Sequence, residues 1–257
     1  MKIATFNCNS VRSRLPIVTD WLKENAPDAL GLQETKVVDE DFPEEAFRQI
    51  GYEIVFRGQK SYNGVALATR SKAKDVRFGL DDGGDPDGPR LAHAVVDGVV
   101  IVNTYVPQGH EPDSDRFAYK LEWLDRLRDY FDRHYTKRKR IVWIGDLNIA
   151  PEPIDVYDHK RLLGHVCHHP AVFEKFEALV NWGFVDVFRK HRPDAGEYSY
   201  FDYRMRNGLE RGLGWRVDHI LATPPMAKKS MDAWIDLGPR KKERPSDHTF
   251  VVAQFDV

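Results

Sequence analysis

Compact apolar runs of strand length recur along the chain, and almost every one stops at a polar side chain. Residues 2–7, 29–34, 64–69 and 141–145 are such runs, too short for helices and rich in Val, Ile, Leu and Ala. Residues 91–96 and 99–105 flank Asp97-Gly98, a pair that tolerates the positive φ of a two-residue hairpin turn. Residues 216–222 and 249–255 complete the set. Between some runs, apolar side chains fall on one helical face. Leu15, Val18, Trp21 and Leu22 form one stripe, which stops before Pro27. Phe117, Leu121, Leu124, Leu127 and Phe131 form another. Val172, Phe173, Phe176, Leu179 and Val180 form a third, closed by Gly183. These stripes read as core packing. Hairpins mixed with helices predict an α/β (α+β) fold, with mixed β-sheets stacked on each other and helices outside.

At 257 residues, 42% hydrophobic and 30% charged, the chain can bury a sizeable core beneath a solvated surface. No repeat or linker divides it, so a single domain over 1–257 is expected. The loosest stretch, residues 80–89, reads as a surface loop. No apolar run reaches the roughly 18 residues of a spanning helix, and the first residues are too polar for a signal peptide. Cys8 and Cys167 stand far apart and form no CxxC pair, which fits a reducing compartment. A cytoplasmic protein with no membrane partner is expected. The net charge of -2 argues mildly against nucleic acid, yet an acidic metal site within a locally basic surface gives the same total.

The polar residues at the strand ends carry the functional signal. Ile3-Ala4-Thr5-Phe6 ends in Asn7 and Asn9. Ala29-Leu30-Gly31-Leu32 ends in Gln33-Glu34. Residues 99–104 lead to Tyr105 and then Gln108. Residues 141–144 lead to Gly145-Asp146-Leu147-Asn148. Arg216-Val217 leads to Asp218, and Pro245-Ser246-Asp247-His248 precedes a strand. Sheets gather such ends along one rim, where loops host chemistry. One carboxylate there is commonplace; the whole series is not. Carboxylates and amide oxygens are hard ligands that suit Mg²⁺ or Mn²⁺. Neither GxSxG nor GxxxxGK[ST] occurs. Metal-assisted attack of water on a phosphodiester needs a cation on a phosphate oxygen, a base for the water and neutralisation of the developing charge. This set of residues offers all three.

Leu32-Gln33-Glu34-Thr35-Lys36, Gly145-Asp146-Leu147-Asn148-Ile149-Ala150-Pro151 and Ser246-Asp247-His248 resemble the exonuclease III family of abasic-site endonucleases, part of the endonuclease/exonuclease/phosphatase superfamily. Asn7-x-Asn9, Tyr105-Val106-Pro107-Gln108-Gly109, Tyr119-Lys120-Leu121, Tyr198-Ser199-Tyr200-Phe201-Asp202-Tyr203-Arg204 and Gly214-Trp215-Arg216-Val217-Asp218 match in order, over nearly the whole chain. The resemblance implies a DNase I-like four-layer sandwich of two stacked mixed sheets flanked by helices. It implies a Mg²⁺-dependent DNA repair phosphodiesterase, with Mn²⁺ substituting, that cuts 5′ of abasic sites and also acts as a 3′→5′ exonuclease and cleaner of 3′ ends. Glu34 resembles the main metal ligand, with Asn7 beside it and Asp247 at the metal side. Asp146 resembles the residue that activates water, with Asn148 helping to hold it. His248 resembles the phosphate-contacting histidine, Asp218 its paired carboxylate, and Tyr105 the tyrosine facing the scissile phosphate.

Trp215 matches a residue beside the base-lacking nucleotide. Arg204, Arg206, Arg211 and Arg216 interleave with aromatics, which suits phosphate contacts; Gln108 and Lys120 join them as implied DNA contacts. The implied partner is double-stranded DNA with abasic sites or blocked 3′ ends, bound by a monomer, at the nucleoid in a prokaryote. A relative acting on lipid or inositol phosphates is the alternative, disfavoured by the Leu-Gln-Glu-Thr-Lys and Gly-Trp-Arg-Val-Asp runs. A DNA-binding scaffold without catalysis is disfavoured because every catalytic residue type is present. Two places depart from the family pattern, Cys8 and the segment Gly164-His165-Val166-Cys167-His168-His169-Pro170. Both are expected to lie off the catalytic set. The spacing of the second matches no standard zinc module, and it reads as a loop entering a helix at Pro170.

Overall fold

The structure, a computed structural model, describes residues 1–83 and 88–257. Residues 84–87, part of the loop expected at 80–89, lie outside the described residues. The strands are β1 (Lys2–Asn7), β2 (Ala29–Gln33), β3 (Glu53–Arg57), β4 (Val65–Thr69), β5 (Lys74–Phe78), β6 (Leu91–Val96), β7 (Val99–Tyr105), β8 (Ile141–Asp146), β9 (Val185–Asp186), β10 (Asp218–Ala222), β11 (Ser230–Asp236) and β12 (Phe250–Phe255). Among the described residues they form two six-stranded mixed sheets, ordered β11-β12-β1-β2-β4-β3 and β5-β6-β7-β8-β10-β9.

The sheets stack face to face through Ile3, Val65, Ile101, Ile144, Ile220 and Val251. On the outer face of the first sheet, the helix Val11–Asn25 lays Val18, Trp21 and Leu22 on Phe6, Phe250 and Val252. On the second, the helices Asp115–His134 and Pro170–Gly183 lay Leu124, Leu127, Phe131, Val172 and Leu179 on Val102, Trp143 and Leu221. The result is the expected four-layer sandwich. β2, β4, β8 and β10 are buried along their whole length. One face meets the opposite sheet and the other a helix, so they read as continuous apolar runs rather than alternating ones. The Asp97-Gly98 hairpin forms with φ of 48° and 80° at its two turn residues.

A polar tie fixes the sheets near the functional rim. Asn103 on β7 donates its amide to the carbonyls of Leu32 and Ala66 at 3.0 and 2.9 Å, and accepts from Gln33 Nε2 at 2.6 Å. Gly31 makes room, since a Cβ there would sit 2.8 Å from Asn103 Oδ1. Strand direction then gathers the site. β1 with β2, and β7 with β8, run parallel, so Asn7, Gln33, Tyr105 and Asp146 end on one rim. β10 and β12 run antiparallel to β8 and β1, so their first residues start at that same rim.

Candidate active site

Asp146 ends β8 directly across from Asp218 on β10 and Tyr105 on β7. Asn7 ends β1 and donates Nδ2 to Glu34 Oε1 and Asp146 Oδ2, at 2.8 Å each. Its amide oxygen accepts the Asn9 N–H at 3.0 Å. The atom facing Glu34 is a donor, so as arranged Asn7 aims the two carboxylates. Glu34 leaves β2 in the left-handed region, φ 52°, and Asn148 does so after β8, φ 50°. That conformation costs a non-glycine residue energy and persists where the site demands it. It turns Glu34 back to the rim and sets the Asn148 N–H on Asp146 Oδ1 at 2.9 Å. Lys36 pairs with Glu34 Oε2 at 2.7 Å and donates to Asn9 Oδ1 at 2.6 Å, while Asn9 donates to Asp247 Oδ1 at 3.1 Å. Ser246 Oγ donates to the Asn7 carbonyl at 2.8 Å and accepts the His248 N–H at 3.2 Å, tying β12's approach to β1.

His248 stands between two carboxylates, with Nδ1 2.8 Å from Asp218 Oδ2 and Nε2 3.8 Å from Asp146 Oδ2. Burial opposes its charge, but Asp218 and Asp146 overcome that and raise its pKa to about 10. Burial, with Asp218 and Glu34 adding to it and His248 opposing, pushes the Asp146 carboxyl up to about 7. Burial, Glu34 and Asp146 hold the Tyr105 phenol well above 10, so it remains a donor. A base must be deprotonated to work, so activity through Asp146 is lost as pH falls through its pKa. A cation on His248 is lost only as pH rises through its own. The expected profile of kcat/KM climbs towards neutrality and stays level until pH approaches about 10. A decline between about 7 and 8, just above the ordinary histidine pKa, would refute a charged His248.

The donor set fits a hard divalent cation. Asp146, Asp218 and His248 lie within 4.8 Å of one another, but the proton on His248 already serves that trio. Glu34 and Asp247 are partly exposed carboxylates that Asn7 and Asn9 join at the mouth of the site. They are the oxygen ligands such an ion takes.

A cavity of about 300 Å³ opens beside these groups. Its lining joins Glu34, Tyr105, Asp146, Asn148 and His248 with His165, Cys167, Tyr200, Trp215 and Val217. Trp215 exchanges backbone hydrogen bonds with Tyr200, and its ring lies 4.7 Å from that of His165. Gly214 permits this approach, because a Cβ there would meet Tyr198 Cβ at 2.5 Å. Tyr200 packs on His248 at 4.8 Å between ring centres. Tyr200, Lys36 and His165 had no role among the expected site residues. Tyr200 and Lys36 lie inside the runs 198–204 and 32–36, where the alternating tyrosines 198 and 200 and a lysine two residues after Glu34 are the available signals.

Two implied DNA contacts are corrected. Arg216 is fully buried. Its guanidinium binds Asp155 at 2.7 and 3.1 Å and Asp186 at 2.8 Å, so it cannot reach a phosphate. Lys120 is also fully buried and donates to three backbone carbonyls. Arg204, at the cavity, is exposed but doubly bound to Asp202. Arg206, Arg211 and Gln108 are exposed. The departures also lie nearer the chemistry than expected. Cys8 Sγ is 3.7 Å from the Glu34 carbonyl, and Cys167 Sγ 3.8 Å from Asn148 Oδ1. The segment does enter the helix at Pro170 as expected, with His169 as its cap.

Known proteins are similar to this chain in sequence and fold. Residues 4–248 match the Endonuclease/Exonuclease/phosphatase family. Exodeoxyribonuclease III of Haemophilus influenzae is 33% identical over 267 residues, covering 99% of this chain and 100% of that protein. The structure of an AP endonuclease from Archaeoglobus fulgidus, 51% identical, superposes with a TM-score of 0.98 over 100% of both chains. A 3′ phosphatase from Neisseria, solved bound to a product DNA hairpin, is 40% identical with a TM-score of 0.96 over 100% of both chains. The chain belongs to the endonuclease/exonuclease/phosphatase family, in its exonuclease III and AP endonuclease branch.

Proposed function

We propose that the protein is a Mg²⁺-dependent DNA repair nuclease that hydrolyses the phosphodiester 5′ of an abasic site, and that it also trims 3′ ends. The observation that carries this reading is a hydrolytic set opening directly onto an aromatic-walled cavity of nucleotide size. Glu34 and Asp247 would hold the cation, which supplies Lewis-acid stabilisation of charge on the phosphate. Asp146, aimed by Asn7 and by the Asn148 N–H, takes a proton from the attacking water. His248, kept charged by Asp218, and the protonated Tyr105 receive the phosphate oxygens. The products are a 3′-hydroxyl and a 5′-deoxyribose phosphate. The protein acts as a monomer on duplex DNA. Activity on an abasic duplex should vanish in EDTA and return with Mg²⁺ or Mn²⁺; cleavage that persists after exhaustive chelation would sink the metal requirement. Parallel assays on sphingomyelin and inositol polyphosphates should show no turnover.

The aromatic lining around Trp215 is proposed to select the base-lacking sugar, whose extrusion from the duplex costs less than that of an intact nucleotide. Trp215→Ala should lower abasic-site cleavage by about 1–3 kcal/mol of selectivity relative to removal of a simple 3′ phosphate. Both activities are measured on one preparation. Equal losses would make Trp215 a packing residue only.

A further inference from the structure

Lys120 lies in the second turn of the helix Asp115–His134 with no exposed surface. Its ammonium donates to the carbonyls of Asn148 at 2.7 Å, Val166 at 2.6 Å and Gln108 at 3.2 Å. These carbonyls belong to separate segments. Gln108 follows Tyr105, Asn148 follows Asp146, and Val166 lies between His165 and Cys167. Each segment contributes side chains to the cavity. A lysine has three donors, and all are used. Gly109 lets the stem pass, since a Cβ there would stand 3.2 Å from Lys120 Cδ. Burial lowers the pKa of this ammonium, which is the cost of keeping a charge here without a carboxylate on it.

We propose that Lys120 is a positioning residue whose ammonium clamps the hydrolytic side of the cavity to its nucleotide-selecting wall, and thereby sets selectivity between abasic sites and ordinary 3′ ends. The inference rests on the function proposed above. Its consequence is geometric: pairwise hydrogen bonds such as Ala150 N–H to the Cys167 carbonyl and Asn148 Nδ2 to the Val106 carbonyl join the segments two at a time, and the Lys120 ammonium fixes all three at one point. Misplacement of a substrate-positioning wall costs rate steeply.

The test compares wild type with Lys120→Met, which keeps the stem and removes the charge. The ratio of kcat/KM for an abasic duplex to that for a 3′-phosphate duplex should fall on the order of tenfold. Methylammonium added to Lys120→Gly should restore part of that ratio. The salt slope of DNA binding should stay as in wild type, because a lost phosphate contact would reduce it by about one. If Lys120→Met does not fold, Lys120→Gln, which keeps an amide donor and removes the charge, should show a smaller shift of the same ratio. An unchanged ratio in the folded variant, or a reduced salt slope, would overturn the clamp. Wild type inactive on abasic DNA would instead defeat the proposed function, and it is read from the wild-type arm alone.

Discussion

Asp146→Asn should lose about a thousandfold or more in kcat while remaining folded, the scale expected when a general base is removed. Asp146 is fully enclosed at the end of β8, fixed by Asn7 and by the Asn148 N–H, and faces His248. No other carboxylate is held this way beside the cavity among the described residues. Burial already disfavours its charge, so a neutral isostere should leave the melting temperature within a few degrees of wild type. Glu34→Ala should lose activity comparably for a different reason, the loss of the principal hard donor at the mouth. Single-turnover kinetics with near-wild-type rates in either variant, at saturating metal, would contradict these roles.

Arg216→Met should unfold far more easily, by about 3–5 kcal/mol, because it removes the buried cation that pairs with both Asp155 and Asp186. The guanidinium grips Asp155 with two nitrogens and Asp186 with a third, and its backbone N–H donates to the Asp155 carbonyl at 2.8 Å. Arg189 closes the other side of Asp155. Against the opposing effect of burial, Arg216 holds both carboxyls below the usual range. Depressed carboxyl pKa values contribute stability above about pH 4, lost as pH falls through the lower folded values. Wild type should therefore shed this part of its stability only in strong acid, and Arg216→Met should lack it at neutral pH. Chemical denaturation at pH 7 checks the magnitude. Unchanged stability with weakened DNA binding would restore the surface-contact reading.

What was legible in the sequence follows burial. Strands enclosed on both faces, such as β8 and β10, are continuous apolar runs and could be read directly. β3, β5, β9 and β11 were not expected, and each is the edge strand of its sheet. Edge strands carry charge and exposed residues, as the mostly exposed Lys74–Phe78 does, so their pattern resembles a loop. In the site, residues on strand ends were legible because strand direction carries them to one rim. Arg216 and Lys120 misled because a basic residue among aromatics looks the same whether it faces DNA or buried partners. Burial came from long-range partners, Asp155 and Asp186 for one and three loop carbonyls for the other. His165 and Cys167 read only as part of a loop off the catalytic set, because that loop is brought to the cavity by a long-range contact, the Ala150 N–H on the Cys167 carbonyl at 2.7 Å.

The central claim is tested most directly by analysing product ends after incubation with Mg²⁺ and either a duplex holding one abasic site or a blunt undamaged duplex. The expected result is a single incision 5′ of the abasic site, leaving a 3′-hydroxyl and a 5′-deoxyribose phosphate, and slow removal of nucleotides from the undamaged 3′ end. Incision on the 3′ side of the lesion, or an abasic duplex left intact while the undamaged end is degraded, would contradict it.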